Sequence, residues 1–362
     1  MPTTTIPTHH SLGLFEQYKQ AINQSLTAYF EQLPGYFSAY DLPPIAKHAL
    51  ELIAEYTLRP GKRVRGGLAS MTYDHITRQE LSQNGQQLAV AMELIQSYAL
   101  IVDDVTDKSD LRRGLPTVHR LYEQYNSKIK ERDAEQLATN TGLIAGHLAN
   151  LALLNINEAT KNLVRAVEFA QKNIIITSFG QLDNIFQEIG RKATTDEIIR
   201  KYALKTSYYT FINPLHAGMA LAGITDQNQF DELAQFGEAA GVAFQAHDDY
   251  LGVFGGSETG KPNTDDIREG KLTILTQYAL EHGSADDVAT LKTYLGNQLV
   301  GKNELAEVKS ILARSGATME AQRIAKSYAE KALEMLEAIT IWDDSFKAGL
   351  AELVTYSITR KS

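Results

Sequence analysis

A helical repeat of apolar residues runs through nearly the whole chain. Between Leu88 and Val105, for example, apolar side chains recur at short helical intervals with polar residues between them. Similar patterns cover further segments of the sequence, namely 11–33, 44–57, 160–180, 195–223, 228–254, 303–313 and 317–341. Strictly alternating β-branched runs, which are typical of half-buried strands, are absent from the sequence. The pattern therefore predicts an all-α protein with about ten or more helices.

The segment 137–156 is nearly apolar all round, which predicts a helix buried in the middle of a bundle.

By length alone, 362 residues would allow two or three domains. The breaks between helical segments are short, and none is a long Gly/Ser-rich or Pro-rich linker. They fall at Pro34-Gly35, Pro43-Pro44, Pro60-Gly61, 106–117, 187–194 and 255–270. We therefore expect one large helical domain at 13–362, preceded by a frayed segment at 1–12.

The charge balance limits the possible partners. Lys and Arg number 35 against 44 acidic residues, which gives a net charge of −9 and argues against nucleic acid or an anionic membrane as the main partner. The chain has no cysteine, so disulfides and thiol chemistry are excluded. No signal peptide and no apolar run of membrane-spanning length is visible. We expect a soluble, cytoplasmic protein without a transmembrane segment.

The strongest local signal is an acidic run in residues 101–114, IVDDVTDKSDLRRG. Asp103, Asp104 and Asp107 are close enough in helical register for their carboxylates to share one end of one face. Like charges at that spacing destabilise a helix unless a cation neutralises them, and Mg²⁺ with oxygen ligands is the natural candidate. A solvated charged turn is the alternative interpretation of this motif alone. An EF-hand is excluded because its central glycine and terminal glutamate are missing.

A second acidic pair, Asp248-Asp249, lies on another strongly periodic helix. A bundle can bring two such helices face to face and project carboxylates into its core. The following stretch, 255–261, nearly matches a nucleotide P-loop. Pro262 replaces the hydroxyl residue that would bind the metal, and the preceding segment predicts helix rather than strand, so a P-loop is excluded. The glycines predict a flexible connection that carries a lysine.

Basic residues accompany the acidic pairs. Arg112 and Arg113 follow the first pair, and their guanidinium groups can bind phosphate oxygens bidentately. Lys62 and Arg65 lie near the start of a helix, where backbone amides also favour anions. Each basic residue alone is better explained as a surface charge. Together with the acidic pairs, they indicate two anionic groups held by a metal and by direct basic contacts.

These motifs resemble, in order and type, those of the polyprenyl synthetase family, the trans-isoprenyl diphosphate synthases, from about residue 45 to residue 341. The block 61–66, GKRVRG, is similar to the family's GKxxRP-type block. Residues 103–114 are similar to its first aspartate-rich motif, and 244–249 to its second. The resemblance implies an isoprenoid-synthase bundle with a central apolar cavity, several Mg²⁺ ions per active site and a homodimer.

The resemblance also implies a reaction and a set of site residues. An allylic diphosphate would ionise with help from Mg²⁺, condense head-to-tail with isopentenyl diphosphate and lose a proton to the departed diphosphate. The implied metal ligands are Asp103, Asp107 and Asp248. The residues implied to act on the allylic substrate also include Asp104, Arg112, Lys205, Thr206, Gln245, Lys261 and Lys271. Those implied to hold isopentenyl diphosphate are Lys62, Arg65, Gln96 and Arg113.

Two residues before the first motif predict the product length. A bulky side chain one turn below the motif would meet the growing isoprenoid tail. In the family, an aromatic residue at the fifth position before the motif but not at the fourth resembles C20 synthases. Tyr98 followed by Ala99 therefore resembles a geranylgeranyl diphosphate synthase. A farnesyl or slightly longer polyprenyl diphosphate is the alternative product, and Tyr98 as an ordinary core aromatic is the alternative interpretation.

The sequence departs from the family pattern at two positions. Gly252 replaces the third acidic residue of the second motif, and activity is expected to survive if the metal depends mainly on Asp248. His147 stands where the family often has an aspartate, and we expect a buried, hydrogen-bonded histidine.

Two other functional classes share this architecture, a class I terpene cyclase and a non-catalytic regulatory subunit. Lys62 and Arg65 argue against a cyclase, which has no second diphosphate to bind. The intact first motif argues against a regulatory subunit.

Overall fold

The computed structural model describes residues 11–190, 192–255 and 262–360, with side chains from residue 15 onward. These residues confirm the all-α prediction. The first half contains α1 (Ser11–Tyr36), α2 (Pro44–Leu58), α3 (Val64–Thr77), α4 (Gln83–Thr106), α5 (Val118–Tyr125), α6 (Glu131–Leu154) and α7 (Thr160–Gly190). The middle contains α8 (Thr195–Tyr202), a π-helical segment (Ala203–Ile212), α9 (Asn213–Leu221) and α10 (Gln227–Phe254). The last part contains α11 (Asp265–Glu269), α12 (Ile274–His282), α13 (Ala285–Tyr294), α14 (Lys302–Arg314), α15 (Ala317–Ala338) and α16 (Asp344–Thr359).

Helix α4 runs through the main apolar core, packed between α3 and α6. It begins where the Ser82 side chain accepts a hydrogen bond from the backbone of Gly85, and it ends at Asp107. Leu88, Met92 and Leu94 are fully enclosed along it. Burying each such side chain contributes about 1.5–3 kcal/mol, so the helix that carries the first acidic motif is firmly anchored.

The predicted helix at 195–223 is interrupted by the π-helical segment. Its backbone lies very close to two neighbouring helices, and a glycine allows each approach. A Cβ at Gly180 of α7 would lie 2.5 Å from the backbone nitrogen of Lys205, and one at Gly241 of α10 would overlap Ser207. The π-helical segment is therefore packed closely between α7 and α10.

The 106–117 segment, predicted as a break, contains a small hairpin. Strand β1 (Leu111–Arg112) pairs antiparallel with β2 (Leu115–Pro116). The two-residue turn between them has left-handed backbone at Arg113 (φ 56°) and Gly114 (φ 75°), as a type I′ turn requires. Two-residue strands are too short to produce an alternating pattern in the sequence.

Two predicted helix ends were wrong. Helix α1 continues through Pro34 to Tyr36, and α7 continues to Gly190. Pro34 lies in the last turn of α1. Its missing backbone N–H therefore removes only one helical hydrogen bond, and the helix can continue to Tyr36.

The prediction that the apolar helix at 137–156 is buried all round was also wrong. One face of α6 packs on α4, whereas Leu143, Ile144, His147 and Leu154 are exposed on the opposite side. His147 is thus not the buried histidine expected from the sequence. In the described part of the chain, α6 alone has the length and apolar composition of a membrane span, and 44% of its most apolar window is buried within the protein.

Candidate functional site

The last turn of α4 places two carboxylates beside two lysines from other parts of the chain. Lys205 Nζ lies 3.2 Å from Asp103 Oδ1, and Lys271 Nζ lies 3.0 Å from Asp107 Oδ2. Carboxylates at a helix C-terminus oppose the helix dipole, so these cations offset an unfavourable position. Burial alone would lower the pKa of Lys205, but the carboxylates of Asp103 and Asp107 outweigh it and raise that pKa.

Asp104 differs from its neighbours, because its contacts are internal. It is 1% exposed; Tyr56 OH donates to its Oδ2 at 2.6 Å, and Arg112 Nε donates to its Oδ1 at 2.9 Å. Arg112 also reaches within 3.8 Å of Asp103 Oδ2. Asp103 and Asp107 thus contact the lysines, whereas Asp104 orients Arg112.

The second acidic pair also separates into two environments. Asp248 is half exposed, and its Oδ1 accepts a hydrogen bond from Arg360 Nη2 at 2.6 Å. Asp249 is buried; it accepts hydrogen bonds from Tyr202 OH and, at 2.7 Å, from Gln245 Nε2. The Arg360 contact was not foreseen, since it joins residues far apart in the sequence.

Thr206 and Gln245 are directly connected, as expected for neighbours in one site. Thr206 Oγ1 donates to Gln245 Oε1 at 2.7 Å, so the amide of Gln245 is fixed between Thr206 and Asp249. Burial, together with the nearby carboxylate of Asp266, raises the pKa of Asp249 to about 7.

Lys271 lies among three carboxylates. Its Nζ is 3.0 Å from Asp107, 3.2 Å from Asp266 and 2.5 Å from Glu269. Burial would lower the pKa of Lys271, but Asp107 and Asp266 outweigh it and hold that pKa well above its usual value. Asp266 and Glu269 were missed, because acidic residues on a short helix carry no distinctive pattern. Lys261, the other lysine predicted on this part of the chain, lies outside the described residues.

The basic block before α3 is organised by Arg63, which sequence reasoning missed. Arg63 has left-handed backbone (φ 54°) at the start of α3 and is buried. Its Nη1 lies 3.0 Å from Glu93 Oε2 and donates to the Thr57 carbonyl at 2.9 Å. Glu93 Oε1 in turn accepts a hydrogen bond from the Gly66 backbone at 3.1 Å. This buried ion pair ties the basic block to α4.

The other predicted basic residues flank this ion pair. The Arg65 guanidinium lies 3.8 Å from the Tyr209 ring centroid and donates to Thr210 Oγ1 at 2.8 Å. Lys62 Nζ lies 5.2 Å from the Tyr356 ring centroid on α16. These contacts bring the π-helical segment and α16 to the basic block.

Arg113 joins the same block from the hairpin. Its Nη1 donates to the Arg59 carbonyl at 3.0 Å, and a Cβ at Gly61 would lie 3.0 Å from its guanidinium. Burial and the neighbouring Arg63 lower the pKa of Arg113. Gln96 is partly buried on α4, on the N-terminal side of Asp103.

The residues predicted to set product length lie on α4 before Asp103. The Tyr98 ring packs against α6 at Gly146, where a Cβ would lie 3.3 Å from Tyr98 Cγ. Tyr98 and Ala99 both border the main apolar core. A glycine at 146 thus leaves room for the ring between the two helices.

The donor set fits Mg²⁺. Asp103, Asp107 and Asp248 offer hard carboxylate oxygens, and Lys205 and Lys271 show that the first motif attracts positive charge. Within the described residues, no three or more Asp, Glu, His or Cys side chains converge as a complete metal site. Mg²⁺ commonly binds through one or two carboxylates and takes its other ligands from water and phosphate oxygens. The arrangement therefore suits a metal ion that arrives with a phosphorylated substrate.

The sequence is similar to one protein family and to several of its enzymes. The family model for polyprenyl synthetase matches residues 47–313. A geranylgeranyl diphosphate synthase of Saccharolobus solfataricus is 30% identical over 311 residues, covering 83% of this chain and 87% of the relative. A farnesyl pyrophosphate synthase of Saccharomyces cerevisiae is also 30% identical, over 293 residues, covering 77% of this chain and 79% of the relative.

A solved structure shares the fold over nearly the full length. The geranylgeranyl pyrophosphate synthase of Corynebacterium glutamicum, crystallised with isoprenyl diphosphate and magnesium, superposes with a TM-score of 0.87 at 28% identity. The match covers 96% of this chain and 99% of that one.

Proposed function

The chain belongs to the polyprenyl synthetase family, and we propose that this prenyltransferase condenses an allylic diphosphate with isopentenyl diphosphate to give geranylgeranyl diphosphate. The observation that carries the proposal is the joining of the two aspartate-rich motifs by two successive residues of the π-helical segment. Lys205 contacts Asp103 directly, while its neighbour Thr206 is bonded to Gln245 beside the second motif. Such a site has both the acidic and the basic groups that a metal-bridged diphosphate requires.

Binding and ionisation of the allylic diphosphate are assigned to residues on both motifs. Asp103, Asp107 and Asp248 would hold Mg²⁺, which supplies Lewis acidity to the leaving diphosphate. Arg112 and Lys205 offer guanidinium and ammonium donors to its remaining oxygens. Asp104 keeps Arg112 oriented through the 2.9 Å hydrogen bond.

The carbocation side of the reaction needs electron-rich groups in a dry site. Gln245 has its amide fixed, because Thr206 donates to its oxygen and Asp249 accepts from its nitrogen. We assign the Thr206 hydroxyl and the Gln245 oxygen to stabilising positive charge on the allylic carbon.

Isopentenyl diphosphate is assigned to the basic block. Lys62, Arg65 and Arg113 supply cationic donors, and Gln96 of α4 supplies an amide. The Arg63–Glu93 ion pair holds the loop in place. Holding the second substrate over the cation converts a bimolecular step into a nearly unimolecular one, which supplies much of the rate. We assign proton removal to the departed diphosphate, so that no side-chain base is required.

The proposal is tested by incubating the protein with Mg²⁺, isopentenyl diphosphate and each of the C5, C10 and C15 allylic starters. We expect elongation that ends at C20 and stops when EDTA removes the metal. Chromatography against prenyl alcohol standards resolves the products. No elongation with any starter would contradict the proposal and favour a terpene cyclase or a regulatory subunit.

Product length is expected to change with the residues below the first motif. Tyr98→Ala removes the ring that packs at Gly146 and should give products longer than C20. Ala99→Phe adds a second ring and should shorten the product to C15. Tyr98→Phe keeps the ring and serves as the matched control. The same product lengths in all three variants would show that Tyr98 is only a core aromatic.

We also propose a homodimer formed through the outer face of α7. Five large apolar side chains repeat along it at alternating four- and three-residue steps and are 52–76% exposed: Ile175, Phe179, Leu182, Phe186 and Ile189. Leu143 and Ile144 of α6, a helix in contact with α7, are also exposed. An exposed apolar stripe of this length indicates an interface, and a second copy offers the same stripe across a two-fold axis.

The dimer prediction is tested by placing charge on this stripe. We expect Phe179→Lys/Phe186→Lys to convert a dimer to a monomer in light scattering after size exclusion. Leu299→Lys, which changes an 88% exposed apolar residue elsewhere, should remain dimeric. A wild-type monomer at micromolar concentration would contradict the proposal.

We propose that residues 13–362 act as one domain around a central apolar cavity. We also propose a cytoplasmic location.

A further inference from the structure

Lys201 is a buried lysine that the proposed reaction does not use. It lies in the last turn of α8, one helical turn before Lys205, and it is 4% exposed. Its Nζ donates to the backbone carbonyl of Leu272 at 2.6 Å. Burial lowers the pKa of Lys201 to about 8, although the carboxylates of Asp249 and Glu188 oppose that shift. Enclosing an ammonium group costs free energy that an apolar side chain would avoid, which indicates a role for the contact with Leu272.

Tyr202, the next residue, contacts the same turn of the backbone. Its hydroxyl accepts a hydrogen bond from the Ile274 backbone N–H at 3.1 Å and donates to the buried carboxylate of Asp249. Leu272 and Ile274 flank Thr273, the residue that caps α12. Two successive residues of α8 therefore hold the backbone on each side of Thr273, in the short turn between α11 and α12.

This turn carries one of the two lysines that contact the first aspartate-rich motif. Lys271 directly precedes Leu272, and its Nζ is 3.0 Å from Asp107 Oδ2. The other lysine, Lys205, lies in the π-helical segment that continues α8, and its Nζ is 3.2 Å from Asp103 Oδ1. The last turn of α8 is thus connected to Lys205 through the helix and to Lys271 through the Leu272 carbonyl.

We propose that Lys201 is a positioning residue which, through the Leu272 carbonyl, holds Lys271 at the first aspartate-rich motif. The inference rests on the proposed function, in which Lys271 acts on the allylic diphosphate. Lys201 itself touches neither diphosphate nor metal in this assignment, because its ammonium group is enclosed and donates to a backbone carbonyl. Without that group the turn before α12 loses a hydrogen bond to α8, and Lys271 should be held less precisely. A shift of about 1 Å in a group that binds substrate can cost about 10²-fold in rate.

The test is a double-mutant cycle between Lys201 and Lys271. Lys201→Met and Lys201→Gln remove the ammonium group in two ways, one apolar and one polar. Lys271→Ala removes the group that is positioned, and Lys201→Met/Lys271→Ala completes the cycle. The KM for the allylic diphosphate and the KM for isopentenyl diphosphate are measured for each variant at saturating Mg²⁺. Circular dichroism confirms that each variant keeps its helical content.

We expect Lys201→Met and Lys201→Gln each to raise the KM for the allylic diphosphate about tenfold. The KM for isopentenyl diphosphate should stay unchanged, because that substrate is assigned to the basic block before α3. In the Lys271→Ala background, Lys201→Met should have no further effect, since the group that it positions is already gone. The matched control Lys326→Met removes a lysine of α15 whose side chain is 74% exposed, and it should behave as wild type.

The possible results separate failure of this inference from failure of the proposed function. An equal rise in both KM values for Lys201→Met would overturn the inference, because a general loss of structure would explain it. Additive effects in the double variant would also overturn it, since Lys201 would then act other than through Lys271. A wild-type protein that elongates no starter contradicts the proposed function itself. Normal wild-type turnover together with an unchanged allylic KM in both Lys201 variants contradicts only the positioning role.

Discussion

Asp103→Ala is expected to lower kcat on the order of 10³-fold or more, with helical content unchanged by circular dichroism. The side chain is needed to hold the metal-bound diphosphate as charge develops on it. Its removal also leaves the Lys205 ammonium without the carboxylate that now lies 3.2 Å away. The assay is initial-rate incorporation of isopentenyl diphosphate at saturating Mg²⁺.

A neighbouring acid provides the control. Asp110 lies a few residues further along the same motif, where it is 75% exposed and pairs with Arg120 at 2.7 Å. We expect Asp110→Ala to keep kcat within about threefold of wild type, since exposed ion pairs contribute little. Near-normal turnover in Asp103→Ala would refute the metal-binding role assigned to that residue.

Glu93→Ala is expected to destabilise the protein by about 3–5 kcal/mol. Glu93 and Arg63 are both almost fully buried, with side-chain exposures of 1% and 2%. Removing the carboxylate leaves the Arg63 guanidinium buried without its counter-ion and the Gly66 backbone N–H without its acceptor. The loop that carries Lys62 should then loosen, so the KM for isopentenyl diphosphate should rise as the midpoint of urea denaturation falls.

Two further variants distinguish the cost of leaving Arg63 unpaired in the interior from a general effect of lost charge on stability. Arg63→Met/Glu93→Ala removes both ions and should be less destabilised than Glu93→Ala alone. Glu320→Ala breaks an exposed ion pair with Arg323 on α15 and should leave the midpoint unchanged. A double variant that is less stable than Glu93→Ala would contradict the assignment of the penalty to an uncompensated buried charge.

The sequence predicted the helical class, because helical periodicity is a local pattern. Periodicity identified α4 and α10, and the acidic pairs mark a particular turn of each. Lys205 beside Asp103 and Thr206 beside Gln245 are long-range contacts, and the family resemblance placed these residues in one site before the structure did.

What the sequence could not predict depends on packing between distant segments. Asp103 and Asp104 are adjacent and chemically identical, yet one contacts Lys205 and the other is enclosed by Tyr56 and Arg112. Their difference arises from which neighbouring helix covers each side of α4. Arg63 was missed although it lies between Lys62 and Arg65, which were predicted to bind substrate. Its left-handed backbone and its ion pair with Glu93 depend on tertiary contacts, which the sequence does not show.

The π-helical segment has a consequence for insertions and deletions. Two successive residues in it serve opposite sides of the site, with Lys205 bonded to α4 and Thr206 bonded to α10. Deleting Ala203 or Leu204 would rotate Lys205 and Thr206 by about 100°, one residue of α-helix, and would turn each side chain away from its partner. Sequence length between α8 and α9 should therefore be far less tolerant of change than side-chain identity at the exposed positions of the same helices.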